Sequence, residues 1–145
     1  MLFPFIRVTA DCIAEKNGKI LLVKRKIPPF LGKFAFPGGH LKYGEAIEDC
    51  VIRETFEETG IKVEPTEILG VYSKKDRDPR GHVVSVVFIC NPITMKTKKS
   101  LEAEAVWVSV KHIKNINFAF DHEKIFQDYL KWKKKKGTYW SGKDD

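Results

Sequence analysis

Residues 38–61 constrain this chain more than any other stretch, because they contain a glycine loop, one helix and a glycine that stops it. Gly38 and Gly39 allow the backbone to turn sharply and to approach a ligand closely. No proline or glycine interrupts residues 45–59, which predicts a helix over that range. Gly60 stands where a left-handed residue usually ends a helix. The stretch is expected to fold as loop, helix and cap.

This helix carries apolar residues and carboxylates on one face. At about 100° per residue, one arc contains four apolar positions, Ala46, Ile47, Cys50 and Val51. The arc continues to Glu54, Glu57 and Glu58. A generic pair of glutamates belongs on a solvated surface, but these continue the apolar arc and repel one another. A hard divalent cation removes the repulsion, so the pattern indicates a metal site. Arg53, four residues before Glu57, is placed to hold one carboxylate by a charged hydrogen bond.

The spacing of these residues resembles the Nudix box. Gly39, Glu45 and the run Arg53-Glu54-Thr55-Phe56-Glu57-Glu58-Thr59-Gly60-Ile61 match its charged and glycine positions at its intervals. The one departure is Thr55, where that family usually has an aliphatic residue. The resemblance covers nearly the whole chain. It implies an α/β fold, the Nudix-like α/β/α sandwich with a mixed β-sheet between helices.

The resemblance also implies hydrolysis of a diphosphate with Mg²⁺, for which Mn²⁺ can substitute. The implied metal ligands are the side chains of Glu54, Glu57 and Glu58 and the backbone carbonyl of Gly39. With Arg53 these glutamates form the expected catalytic set, and Glu45 and Arg53 are expected to brace the loop and the helix. All three glutamates are candidates for the general base, since adjacent carboxylates on a metal titrate as a group. Glu102 and Glu104 are candidates for a further acidic ligand.

A second charged segment, Asp76-Arg77-Asp78-Pro79-Arg80-Gly81-His82, resembles the loop found in ADP-ribose pyrophosphatases of the Nudix family. These pyrophosphatases are also resembled by the segment at the start of the last helix, Ala119-Phe120-Asp121-His122. The forked guanidinium groups of Arg77 and Arg80 suit phosphate oxygens. The alternative is a charged surface turn, because Pro-Arg-Gly is favourable turn chemistry. With the resemblance, Arg77, Arg80 and His82 are predicted to bind substrate. Candidates for stacking on adenine are Phe34, Phe36 and Tyr72, although such aromatics more often lie in a core.

Composition excludes several other classes of protein. Hydrophobic residues make up 43% and charged residues 31%, which is ordinary for a soluble domain. No apolar run is long enough to span a membrane, and the start does not resemble a signal peptide. Three scattered cysteines predict neither a disulfide framework nor a zinc site, and the histidines show no zinc-ligand spacing. We expect one domain over residues 1–145, with a lysine-rich tail from about residue 131, in the cytoplasm.

The net charge of +7 raises the possibility of a nucleic-acid partner. Much of the excess lies in Lys131 and in residues 133–136, at the end of the predicted last helix. Lysines there meet the negative end of the helix dipole and usually face water. A solvated face is therefore favoured over a nucleic-acid patch. Similar proteins are often homodimers, so a homodimer is a further expectation.

The rest of the chain predicts alternating strands and helices. The predicted strands cover residues 7–15, 19–26, 61–63, 68–73, 82–90 and 105–109, and the predicted last helix covers residues 122–136. Asn17-Gly18 is a two-residue hairpin signal, and Asp121 is a suitable N-cap for the last helix. The buried strand at 82–90 is expected to be central. This order favours a mixed sheet between helices.

The sequence thus predicts Mg²⁺-dependent hydrolysis of a nucleoside diphosphate derivative, first of all ADP-ribose to AMP and ribose 5-phosphate. One alternative is a Nudix hydrolase of another nucleotide, such as a modified nucleoside triphosphate, a diadenosine polyphosphate or NADH. Another is a non-catalytic ADP-ribose sensor, which would be expected to carry a degraded glutamate cluster and a DNA-binding domain. A third is a nucleic-acid-binding module that acts through the lysine tail.

Overall fold

The computed structural model describes residues 5–144; residues 1–4 and 145 lie outside it. The strands are β1 (Arg7–Lys16), β2 (Lys19–Arg25), β3 (Phe34–Ala35), β4 (Gly38–His40), β5 (Val63–Tyr72), β6 (Val83–Pro92), β7 (Ala103–Ser109) and β8 (Tyr139–Trp140). The α-helices are α1 (Ile47–Thr59) and α2 (His122–Lys134), and short 3-10 segments cover Lys75–Arg77 and Val110–Asn115. No helix within the described range is long and apolar enough to cross a membrane.

β1 joins the two halves of the sheet. Along one edge it pairs in parallel with β6, which pairs in turn with β5 in antiparallel orientation. On its other edge β1 pairs with β4 and, at its end, with β2. β2 carries β3 and β7, and β8 extends the far side of β5 in parallel. The presence of both pairings confirms the predicted mixed sheet.

The two helices cover opposite faces of this sheet, because successive residues of a strand point to opposite sides. Cys12 of β1 packs in one core with Cys50 and Val51 of α1. Its neighbour Ile13 packs in the other core with Ile125 and Phe126 of α2. The predicted α/β/α sandwich is therefore confirmed. β6 lies between β1 and β5, as its long apolar run predicts.

Local turn chemistry is also confirmed. Asn17 and Gly18 join β1 to β2 with φ values of 53° and 75°, the left-handed pair that a type I′ hairpin turn requires. Gly60 ends α1 in the left-handed conformation, with φ 78°. Its N–H donates to the carbonyl of Phe56. The glycine thus both stops the helix and satisfies one of its terminal carbonyls.

Several predicted boundaries are wrong. α1 begins at Ile47 rather than at residue 45, and α2 ends at Lys134 rather than at residue 136. In place of the two strands predicted at 61–63 and 68–73 there is the single strand β5, over residues 63–72, whose register shifts twice against β6. Such bulges break the alternation of buried and exposed residues on which strand prediction depends. The short strands β3, β4 and β8 are additional to the predicted ones.

Asp121 occupies the N-cap position of α2, but its side chain makes no capping hydrogen bond. The carboxylate accepts hydrogen bonds of 2.9 and 2.7 Å from Nε and Nη2 of Arg77. The predicted N-cap position is therefore confirmed, although the Asp121 side chain pairs with Arg77 instead of capping the helix. A paired guanidinium makes two charge-assisted bonds, which outweigh one bond to a helix N–H.

The lysine-rich tail folds back onto the body of the protein. β8 pairs with β5 at Gly70 and Val71. Lys133 forms an ion pair with Glu15 at 2.7 Å and Lys136 with Glu67 at 2.9 Å. These pairs partly neutralise the cations that a nucleic-acid patch would need, which supports the interpretation of this segment as a solvated face.

Tyr72 and the three cysteines belong to the interior. Tyr72 is fully buried, and its hydroxyl donates to Asp128 at 2.8 Å. Burial and this contact hold the pKa of Tyr72 well above its usual range. Tyr72 is therefore a core residue and not a surface for adenine. Cys12, Cys50 and Cys90 are all buried and free.

Thr55, the one departure from the box, lies fully buried in α1. Its Oγ1 has no hydrogen-bond partner among the described residues, which costs roughly 1–3 kcal/mol.

Thr55→Val keeps the shape and removes the hydroxyl, so we expect the free energy of unfolding to rise by about 1 kcal/mol in urea denaturation. Thr59→Val is the matched control and should destabilise, because the Thr59 hydroxyl donates to the Thr55 carbonyl at 2.6 Å. Equal effects of the two substitutions would contradict this account.

Candidate active site

A cavity of about 390 Å³ lies where α1, β1, β2, β4 and the loop before β6 meet. Its wall brings together most of the predicted site residues, namely Gly39, Glu54, Glu57, Glu58, Arg77 and Arg80. Glu102 and Phe36 also line it, whereas Glu104, Phe34 and His82 do not. Residues distant in sequence therefore converge on one space.

The periodicity of α1 directs two glutamates toward the glycine loop. Cys50 is buried on the face of α1 that packs against the sheet. Glu54 and Glu58 follow on the same face, one and two turns later. A Cβ atom on Gly39 would collide with the Glu54 carboxylate, so any larger residue there would have to displace that side chain. Glu58 Oε1 accepts a 2.8 Å hydrogen bond from the N–H of Gly38. Helix and loop are thus held together through the glutamates themselves.

Glu58 has the most perturbed environment of the three. Burial raises the pKa of its carboxyl group to about 8, and the neighbouring carboxylates of Asp11 and Glu54 act in the same direction. The Gly38 N–H and Arg25 act against this shift but do not cancel it. The Glu58 carboxyl therefore favours its protonated, uncharged form below that pKa.

Arg53 organises the acidic end of α1. Its Nε and Nη2 donate to the two carboxylate oxygens of Glu45 at 2.7 and 3.0 Å. Its Nη1 donates to Glu54 at 2.7 Å and to Glu57 at 3.3 Å. Nη2 also reaches the carbonyl of His40 at 3.1 Å. The hydrogen bonds from Arg53 lower the pKa of Glu45 to about 2. Arg53 and Glu45 brace the loop against the helix.

The structure separates the three residues predicted to bind substrate. Arg77 is buried in the cavity wall, where two of its nitrogens bind Asp121. Arg80 keeps 48% of its side chain exposed and pairs with Asp78 at 2.9 Å. His82 lies outside the wall, and its Nε2 contacts the carbonyl of Ser73 at 2.8 Å. Their binding roles stay predictions, and Arg80 is the one best placed to meet a ligand.

Comparison with known proteins decides the class. The model of the NUDIX domain matches residues 5–129, most of the chain. The chain belongs to the Nudix family. An ADP-ribose pyrophosphatase of Methanocaldococcus jannaschii is 50% identical over 127 residues, which cover 87% of this chain and 74% of that protein. This Nudix chain is therefore a hydrolase of that family.

Solved structures agree with the Nudix fold. A Nudix hydrolase from Nitrosomonas europaea superposes with a TM-score of 0.80 at 26% identity, over 97% of this chain and 78% of that chain. A bifunctional NMN adenylyltransferase/ADP-ribose pyrophosphatase from Francisella tularensis, complexed with AMP and a manganese ion, superposes with a TM-score of 0.77 at 29% identity. The match covers 89% of this chain and 42% of that longer one.

The donor set of the Nudix helix fits a hard divalent cation. It consists of carboxylate oxygens, which suit Mg²⁺ or Mn²⁺ better than softer metals. Within residues 5–144, no three carboxylate, imidazole or thiol groups already stand in metal-ligand geometry, since Arg53 holds Glu54 and Glu57 while Glu58 binds Gly38. The Gly39 carbonyl receives a weak S–H contact from Cys50 at 3.6 Å. The ligand roles of these residues stay predictions.

Three further residues line the Nudix cavity without a role assigned from the sequence, although one of them, His122, ends the segment 119–122 singled out above. Asp11 interrupts the apolar run of β1, is 8% exposed and accepts a hydrogen bond from Ser85. An aspartate inside a buried strand is a signal that sequence reading can use. His122 is buried, and its Nδ1 accepts the N–H of Phe36 at 2.9 Å. Arg25 lies at the end of β2. In the sequence, a single arginine at a strand end cannot be told apart from an ordinary surface lysine or arginine, so nothing there signals its place in the cavity.

Proposed function

We propose that this protein is a Mg²⁺-dependent pyrophosphohydrolase that converts ADP-ribose to AMP and ribose 5-phosphate. One observation carries the proposal: Glu54, Glu57 and Glu58 line the same cavity as Arg80. Binding a diphosphate requires a cation that neutralises its charge, which the glutamates would hold. It also requires hydrogen-bond donors for its oxygens, which Arg80 carries. The activity named for the Methanocaldococcus jannaschii relative supports ADP-ribose as the substrate.

The chain's own residues divide the work in this proposal. When bound, Mg²⁺ or Mn²⁺ supplies Lewis-acid activation of a water molecule and neutralises phosphate charge. Glu54, Glu57 and Glu58 would hold the cation, and one of them accepts the proton of the attacking water. Arg53 keeps two of these carboxylates in place, and Arg80 contributes donors to the phosphate oxygens. The glutamate cluster is complete and braced, which favours an enzyme over a sensor.

Release of AMP from a panel of substrates tests the proposal. We expect ADP-ribose to exceed NADH, diadenosine polyphosphate and ATP by at least tenfold in kcat/KM, about 1.4 kcal/mol of transition-state preference. Removal of Mg²⁺ with EDTA should abolish turnover, and adding Mg²⁺ back should restore it. If another compound leads, the substrate is wrong while the class stands. Tight ADP-ribose binding with no turnover in Mg²⁺ would instead support the sensor.

A further inference from the structure

Phe120 lies in the cavity wall with a backbone conformation that residues other than glycine rarely adopt. Its φ is 53°, which brings Cβ close to the following carbonyl. Ala119, just before it, and His122, two residues after it, are both hydrogen-bonded to the segment around β3. The N–H of Ala119 donates to the Phe34 carbonyl at 2.7 Å, and His122 Nδ1 accepts the Phe36 N–H at 2.9 Å. A strained residue held from both sides points to a function for its side chain.

Two arginines from distant parts of the chain lie against the ring of Phe120. The guanidinium carbon of Arg25, at the end of β2, lies 5.1 Å from the ring centroid. That of Arg80, in the loop before β6, lies 5.4 Å from it. Phe30 contacts the same ring edge-on, with centroids 4.9 Å apart. The negative face of an aromatic ring attracts each guanidinium and thereby offsets their mutual repulsion.

Both arginines keep donors for a ligand. Arg25 uses Nε to donate to the Pro29 carbonyl at 2.6 Å, and Arg80 uses Nε and Nη2 on Asp78. No described residue accepts a hydrogen bond from either terminal nitrogen of Arg25 or from Nη1 of Arg80. Burial and the adjacent Arg80 lower the pKa of Arg25, a penalty that an anion between the two would relieve.

We propose that Arg25 and Arg80 form a clamp for the diphosphate of the substrate, and that Phe120 is the positioning residue whose ring holds both guanidinium groups. The inference rests on the proposed function, since it takes a diphosphate as the ligand. Forked N–H donors from two arginines match the oxygens of adjacent phosphates. The clamp and the glutamates of α1 line the same cavity, so one diphosphate contacts both.

Binding of methylenediphosphonate tests the clamp without relying on turnover. This probe has two phosphonate groups and no nucleobase, and its affinity is measured by calorimetry on the full chain in Mg²⁺. Phe120→Leu keeps apolar bulk but removes the ring, so Kd should rise roughly three- to tenfold. Phe120→Tyr, which restores the ring, should bind like the wild type. Trp140→Leu is the matched control, because it removes a ring 4.8 Å from Lys143 outside the cavity wall, and it should change nothing.

A double variant shows whether Phe120 acts through Arg25. Arg25→Ala alone should weaken binding roughly tenfold, and adding Phe120→Leu should give less than the product of the two changes. A full product, or wild-type binding by Phe120→Leu, would overturn the proposal. So would a Phe120→Leu defect seen for adenosine and absent for methylenediphosphonate, which would mean base stacking. If ADP-ribose is not hydrolysed but Phe120→Leu still weakens methylenediphosphonate binding, the clamp stands and the substrate assignment fails.

Discussion

Glu57→Gln is expected to lower kcat for ADP-ribose by roughly 10³-fold while leaving the protein folded. Glutamine keeps the shape of the side chain but removes the charge that a hard cation requires. The Glu57 side chain is 55% exposed and pairs with Arg53 at 3.3 Å. The free energy of unfolding should therefore change by less than about 0.5 kcal/mol. AMP release at saturating Mg²⁺ measures kcat, and urea denaturation measures stability.

Glu48→Gln provides the matched control for this experiment. Glu48 is an exposed glutamate in the first turn of the same helix and lies outside the cavity wall. Its substitution should leave both kcat and the Mg²⁺ dependence unchanged. A metal-ligand role also predicts that Glu57→Gln needs a higher Mg²⁺ concentration for half-maximal activity. Turnover within threefold of the wild type at an unchanged Mg²⁺ requirement would show that Glu57 is not a ligand.

The features of this molecule that could be predicted depend on interactions between residues close in sequence. The Asn17-Gly18 turn and the Gly60 cap follow from backbone preferences of single residues. The row of carboxylates on α1 follows from helical periodicity, which needs only the spacing of Glu54 and Glu58. The contact between Arg53 and Glu57 spans one turn of the same helix. In each case the partners lie within a few residues of one another.

The features that escaped prediction depend on long-range pairing. Arg77 and Arg80 lie on one short loop and have the same chemistry, yet their environments differ. Arg77 meets Asp121, 44 residues away, and is buried, whereas Arg80 stays exposed beside Asp78. No pattern within the loop separates them, because the difference comes from which element packs beneath each side chain. The meeting of Arg25 with Phe120 is hidden from the sequence for the same reason.

Arg53→Ala is expected to damage stability and activity together, unlike Glu57→Gln. Arg53 is the shared cation of Glu45, Glu54 and Glu57, so its loss leaves carboxylates that repel one another on adjacent turns. With 22% of the Arg53 side chain exposed, water screens part of this cost. We expect the free energy of unfolding to fall by about 2 kcal/mol. Mispositioned glutamates should lower kcat roughly 10²-fold.

Arg53→Lys separates the charge of this residue from its shape. Lysine restores a cation but lacks the planar fork that reaches Glu45, Glu54 and the His40 carbonyl at once. It should therefore recover more of the stability than of kcat.

The pKa of Glu45 supplies an independent readout, since the arginine holds it at about 2. Because that pKa is depressed, the contribution of the pair is complete above the unfolded-state pKa of glutamate and is lost as the pH falls toward 2. In Arg53→Ala, an NMR titration should find the Glu45 carboxyl back near the ordinary glutamate value. A Glu45 pKa that stays near 2, or full activity in Arg53→Ala, would mean that the loop is held without the arginine.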